Sequence, residues 1–237
     1  MKSPLRQRAL AVLAGSAVAL STAAIISPAA NAATNSYAYS ASRWLEDQLS
    51  DEGLIHNPNG DGFDDYGLSL DVFFVLNDLG VRTATQNKIV NAVKANSAAY
   101  TTFDDGTSVT FYPGSGGKLA LAIEAAGGDA TDVNGTDLIA KIEQETNDAT
   151  GESANTYSLF GQTFATRALL SEESAEAAKS VEFVASNQCE DGSFKQNLAA
   201  ACPAVIEVDT TVVAAQTLIE AKDAGIAGLD DEIAKAT

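Results

Sequence analysis

The sequence predicts an all-α fold assembled from repeated helix pairs, and three observations predict it. The segment 64–80, DDYGLSLDVFFVLNDLG, aligns without a gap on 209–225, DTTVVAAQTLIEAKDAG, at an offset of 145, and the frame returns at 114–127 and 157–170. Successive spacings of 47, 44 and 54 residues suit a unit of two helices. Each copy is preceded by a second helix-forming segment, at 40–49, 85–97, 136–146 and 174–186; in the second of these, Ile89, Val90, Val93 and Lys94 followed by Ser97 form one helical stripe. The connecting segments carry Asp105-Gly106 and Asp191-Gly192, pairs that reverse the chain tightly. Roughly four units of about 45–54 residues therefore each read helix, turn-rich loop, helix.

Ahead of the first unit, Lys2, Arg6 and Arg8 precede an apolar run from Ala9 to Ile26, followed by Ser27-Pro28 and the small-residue pattern Ala30-Asn31-Ala32. These are the three regions of a secretory signal peptide, with cleavage expected after Ala32. The expected organisation is thus a signal peptide over 1–32 and one repeat domain over 33–237, exported to the extracellular space or cell envelope. No second apolar run of about 20 residues follows, so no membrane span is expected.

Charge narrows the partners. The chain has a formal net charge of −18, and loss of the three basic residues near the N-terminus makes it more acidic still. Nucleic acid and anionic membrane surfaces would be repelled. Cys189 and Cys202, thirteen positions apart in an exported chain, are expected to pair as a disulfide.

The loop entrances carry a sharper mark. Gln188-Cys-Glu-Asp191-Gly192-Ser-Phe194 has the form Q-x-x-D-G-x-F; Gln48-Leu-Ser-Asp51-Glu-Gly53-Leu54 is a looser copy with one residue inserted, and a third around 144–151 is eroded. A glutamine at a helix end can bond neighbouring backbone groups, Asp-Gly reverses the chain, and the aromatic packs the turn onto the next repeat. These residues resemble the QW motifs, Q-x-x-D-G-x-W, of the squalene-cyclase and prenyltransferase repeat superfamily, with phenylalanine in place of tryptophan. The resemblance covers about residues 37–237 and implies an α/α toroid of inner and outer helices. It does not choose among members, which include cyclases, zinc prenyltransferases, cobalamin carriers and complement thioester domains. The tail LDDEIAKAT at 229–237 is similar to TQNKIVNAV at 85–93, as though a fifth unit were opening. The toroid is therefore expected to be incomplete, either a piece of a longer chain, which is the favoured reading, or a half completed by self-association.

The stretch His56 to Phe74, HNPNGDGFDDYGLSLDVFF, is the richest in chemistry. The repeat frame sets Asp64 opposite Asp209 and Tyr66 opposite Tyr157 at the mouth of a helix, so Asp64, Asp65 and Asp209 are expected to cap helix N-termini. A class II cyclase acid would need D-x-D-D, whereas the chain has D-G-F-D-D and one tryptophan, Trp44, with which to stabilise carbocations. Asn57, Asn59, Asp61 and Asp65 match four positions of a calcium loop, but Leu68 stands where a bidentate acid belongs.

The function expected from these residues is a non-catalytic ligand-binding or cell-surface interaction module without a required cofactor. Its candidate face is the loop rim at 51–67, 98–117, 147–157 and 187–208, with Tyr66, Phe103, Tyr112, Tyr157 and Phe194 as candidate contacts. The alternative is a degenerate terpenoid enzyme or an α/α-barrel polysaccharide-active enzyme using Asp61, Asp64 or Asp65 as acid or base.

Overall fold

A computed structural model describes residues 28–57 and 62–236. The chain divides into two compact units, Met1–Ala41 and Ser42–Thr237. The first holds the expected signal peptide, of which residues 1–27 lie outside the described residues; the described part is helical from Pro28.

Among the described residues there are ten helices and two small hairpins. Helix α1 (Pro28–Glu46) is followed by the paired strands β1 (Ile55–His56) and β2 (Asp64–Asp65), then α2 (Tyr66–Asp78), α3 (Thr83–Ala95) and the short α4 (Ser97–Thr101). The hairpin β3 (Thr102–Asp104) and β4 (Val109–Phe111) leads into α5 (Pro113–Ala125), α6 (Leu138–Glu145), α7 (Leu159–Ser171), α8 (Ala177–Ser186), α9 (Val208–Asp223) and α10 (Asp230–Ala236). None is long and apolar enough to cross a membrane.

The helices form two layers. Helices α2, α5, α7 and α9 pack side by side in that order; α3 packs against α2 and α5, α6 against α5 and α7, α8 against α7 and α9, and α10 against α9. Row helices touch neighbours on several sides, which is why their apolar runs continue around the helix. The helices that pack against the row bury one stripe, such as Ile89, Val90 and Val93 on α3. All four row helices match the repeated segments, overrunning them by at most one residue, but they start at 66, 113, 159 and 208, spacings of 47, 46 and 49. Tyr157 thus lies two residues before α7 rather than at the position of Tyr66, because the gapless alignment weighed residue type over the changing hairpin lengths. Helix α1 also differs from the expected segment 40–49, ending at Glu46.

Glycines set the closest approach in the row. A Cβ on Gly114 would stand 2.8 Å from the Cα of Gly161, and one on Gly117 would collide with the backbone of Phe164, so α5 and α7 meet backbone to backbone. Each row helix ends in the same way. Val81, Gly128, Ser174 and Ile226 donate their N–H to the carbonyls of Leu76, Ile123, Leu169 and Ala221 respectively, after a left-handed residue. That residue is Gly80, Gly127 and Gly225 in three cases and Glu173, φ +52°, in the fourth.

Each row helix is preceded by a hairpin or a single antiparallel bridge: Leu49 with Ile55, β3 with β4, Thr146 with Ser153, and Gln188 with Phe194. In three of them the last residue's N–H donates to the fourth residue of the following row helix. Ile55 donates to Ser69 Oγ (2.8 Å), Ser153 to Gln162 Oε1 (2.8 Å) and Phe194 to Thr211 Oγ1 (2.9 Å). In the second unit this place is Gly116, and the Phe111 ring packs against it instead.

The Q-x-x-D-G-x-F segment folds as its residue types require. Gln188 Nε2 donates to Gly192 O (3.0 Å) and to Glu232 O on α10 (2.8 Å), Asp191 accepts from the N–H and hydroxyl of Ser193, and Gly192 turns at φ +88°. These bonds hold the Asp191 carboxyl below its usual range. The other copies need correction. Leu49, not Gln48, pairs in the place of Gln188; Gln48 points its amide at Trp44 O, and no inserted residue is needed. In the third unit that place belongs to Thr146, and Gly151 takes the role of Gly192 by packing onto α8. Cys189 and Cys202 are bonded, with Cα atoms 5.8 Å apart.

Candidate functional site

The structure distributes the predicted site residues unevenly. Asp65 is the N-cap of α2, its Oδ1 accepting from the Leu68 N–H at 2.9 Å, and Asp64 lies opposite His56 with Oδ1 3.4 Å from Nδ1. Asp209 is not a cap: it lies in the first turn of α9, whose cap position is Glu207. Asn59 and Asp61 lie outside the described residues, so of the calcium set only Asn57 and Asp65 are placed. Phe194 is fully buried among Leu159, Val184 and Leu218 and is a core residue rather than a surface contact. Phe103 is exposed on β3.

Tyr112 and Tyr157 do come together. Their rings are 5.9 Å apart and inclined at 52°, at the mouth of a cleft of about 220 Å³ between the N-terminal ends of α5 and α7. Tyr112 is held there by the N–H it donates to Thr101 O at the end of the β3–β4 hairpin. Tyr157 is held by the backbone: Asn155 and Tyr157 have φ +57° and +55°, a region L-residues rarely adopt. Tyr157 is 75% exposed, so this conformation presents the ring to solvent rather than burying it. Desolvation, and then the Tyr157 phenol, push the Tyr112 hydroxyl upward in pKa.

Behind the tyrosines, Phe160 and Phe164 pack edge to face at 5.2 Å, and Tyr100 closes one side. Tyr100 also packs against Tyr66, the rings tilted and their centres 6.0 Å apart, linking that candidate residue to the cleft wall. Burial drives the Tyr100 phenol far above the normal tyrosine range, against a hydrogen bond with Ser115 that acts the other way. At the floor, Lys118 is 6% exposed; its Nζ lies 2.6 Å from Asp71 Oδ1 and 5.2 Å from the centre of the Phe164 ring. Sequence reasoning missed this group. The signal was available: Lys118 and Asp71 are the charges interrupting the apolar runs GGKLALAI and LSLDVFF.

Chemically the cleft is an aromatic slot with a neutralised floor. No family model and no curated protein matches the chain.

Proposed function

We propose that the chain is a secreted α/α-toroid repeat protein, akin to the squalene-cyclase and prenyltransferase superfamily, that binds a small ligand between Tyr112 and Tyr157 without transforming it. The ordered row of α2, α5, α7 and α9 under outer helices supports the toroid reading, as does the Gln188 bond to the next outer helix. The disulfide suits an oxidising compartment.

The observation that carries the binding reading is Tyr157. An exposed aromatic held at positive φ against a second aromatic is stored strain at a concave site, the kind of arrangement that favours recognition. Two features speak for binding over turnover. Lys118 is tied to Asp71, and the Tyr100 and Tyr112 phenols are pushed further above pH 7 and stay protonated, the opposite of what proton transfer near pH 7 asks. The cleft is also smaller than the roughly 300–1,000 Å³ that encloses a drug-sized molecule, and a cyclase must enclose its whole substrate.

Native mass spectrometry of the full chain, recovered from the medium of a secreting host, tests the proposal. A retained small molecule that is lost in Tyr157→Ala supports it. A retained molecule indifferent to Tyr157→Ala, or one released in altered chemical form, contradicts it.

A further inference from the structure

Resting on that reading of the cleft, we propose that its ligand is a neutral carbohydrate chain, with one sugar ring against Tyr112 and Tyr157 and the next unit beyond Phe160. A second depression, of about 240 Å³, is lined by Phe160, Gln196, Glu207, Val208, Asp209 and Thr210. Phe160 lines both, so the two are neighbours across one ring at consecutive seams of the helix row. Each is smaller than a drug-sized site. Two small adjoining sites suit a ligand made of small repeated units better than one compact molecule.

The lining selects the chemistry. Aromatic faces take the C–H face of a sugar ring by apolar contact with the ring quadrupole, and tyrosines do so at little cost in side-chain entropy. At the edges stand amides: Asn155 in the first cleft, Gln196 in the second. An isoprenoid covering these groups would strip them of water without replacing the bonds, which disfavours it. Charge then excludes acidic sugars and phosphates. The Lys118 cation is consumed by Asp71, the second depression carries Glu207 and Asp209, and the chain bears −18 overall. The two carboxylates remain suited to accept bonds from sugar hydroxyls.

Affinity electrophoresis of the full chain through gels containing hydroxyethyl cellulose, laminarin, arabinoxylan or glycol chitin tests the inference, with polygalacturonate and a farnesol titration as contrasts. We expect at least one neutral polymer to retard the protein, polygalacturonate not to, and Tyr157→Ala and Phe160→Ala each to weaken retardation roughly tenfold. Tyr157→Phe should retain most of it. Circular dichroism of each variant separates lost binding from lost fold. Retardation by no neutral polymer, or by polygalacturonate alone, overturns the carbohydrate assignment. Farnesol binding that Tyr157→Ala abolishes would overturn it while leaving the cleft as a binding site; retardation unchanged in both alanine variants would overturn both.

Discussion

Asp71 and Lys118 occupy the same position, the sixth, in helices α2 and α5, and meet at 2.6 Å. Phe164, sixth in α7, continues the line with its ring 5.2 Å from the Lys118 ammonium. Equivalent repeat positions thus stack across the row, and at this one they set an acid, a base and an aromatic side by side. The Lys118 side chain is buried and that of Asp71 is half exposed, so the two have unequal roles. Asp71→Ala strands a buried cation and should cost on the order of 2 kcal/mol, whereas Lys118→Met, which removes the cation but keeps the packing, should cost less. Urea melts of the two single variants and the double variant check this: Lys118→Met should restore most of what Asp71→Ala loses.

Gly117 and Gly67 make a contrasting pair. Alanine at Gly117 forces α5 away from the Phe164 backbone and should destabilise by about 1–3 kcal/mol. Alanine at Gly67, whose added carbon would find only ordinary contacts from 3.6 Å outward, should be neutral or stabilising by about 0.4–1 kcal/mol. Thermal melts distinguish the two directions.

Removing the Gln188 amide loses one bond inside its turn and one to α10. Gln188→Ala should cost about 1–2 kcal/mol and raise amide exchange in α10 more than in α2. Uniform loss of protection across the chain would show that the glutamine does not join successive units.

Glu124 supplies the pH dependence. Burial raises its carboxyl from 4.5 to about 7, with Glu172 and Asp129 adding repulsion against a hydrogen bond from Ser171. Below pH 4.5 the group is neutral folded or unfolded. Between 4.5 and about 7 the unfolded chain ionises first, so its contribution to stability is lost as pH rises through this window and stays lost above it. Glu124→Gln should therefore raise the Tm at pH 8 and leave it nearly unchanged at pH 4.

The fold was legible because its signals are local: apolar runs about 47 residues apart, Asp-Gly reversals, and a glycine after three of the four row helices. What escaped depends on partners distant in sequence. Gln48 looked like the motif glutamine until pairing with Ile55 chose Leu49, and Phe194 looked like a surface contact until two layers closed over it. Tyr112 and Tyr157 were identifiable as loop aromatics, but their meeting rests on the left-handed turn at 155–157, which no glycine announces. Asp65 was readable as a cap from its place before a helical run.

That cap separates the two functional classes. Asp65→Ala should cost about 1 kcal/mol through the lost cap and leave ligand binding intact. Asp64→Asn should leave binding intact as well. An enzyme using these carboxylates would lose turnover in both variants while keeping its stability in Asp64→Asn.

The most direct measurement is fluorine NMR of the full chain labelled with 3-fluorotyrosine, which gives six tyrosine reporters. Each is assigned by Tyr→Phe substitution, and the sample is titrated with a soluble oligosaccharide of whichever neutral polymer retards the protein. Binding between α5 and α7 predicts saturable shifts at Tyr112 and Tyr157, a smaller one at Tyr100, and none at the exposed Tyr37 and Tyr39. Saturable shifts at Tyr37 and Tyr39 with Tyr112 and Tyr157 unmoved would contradict it.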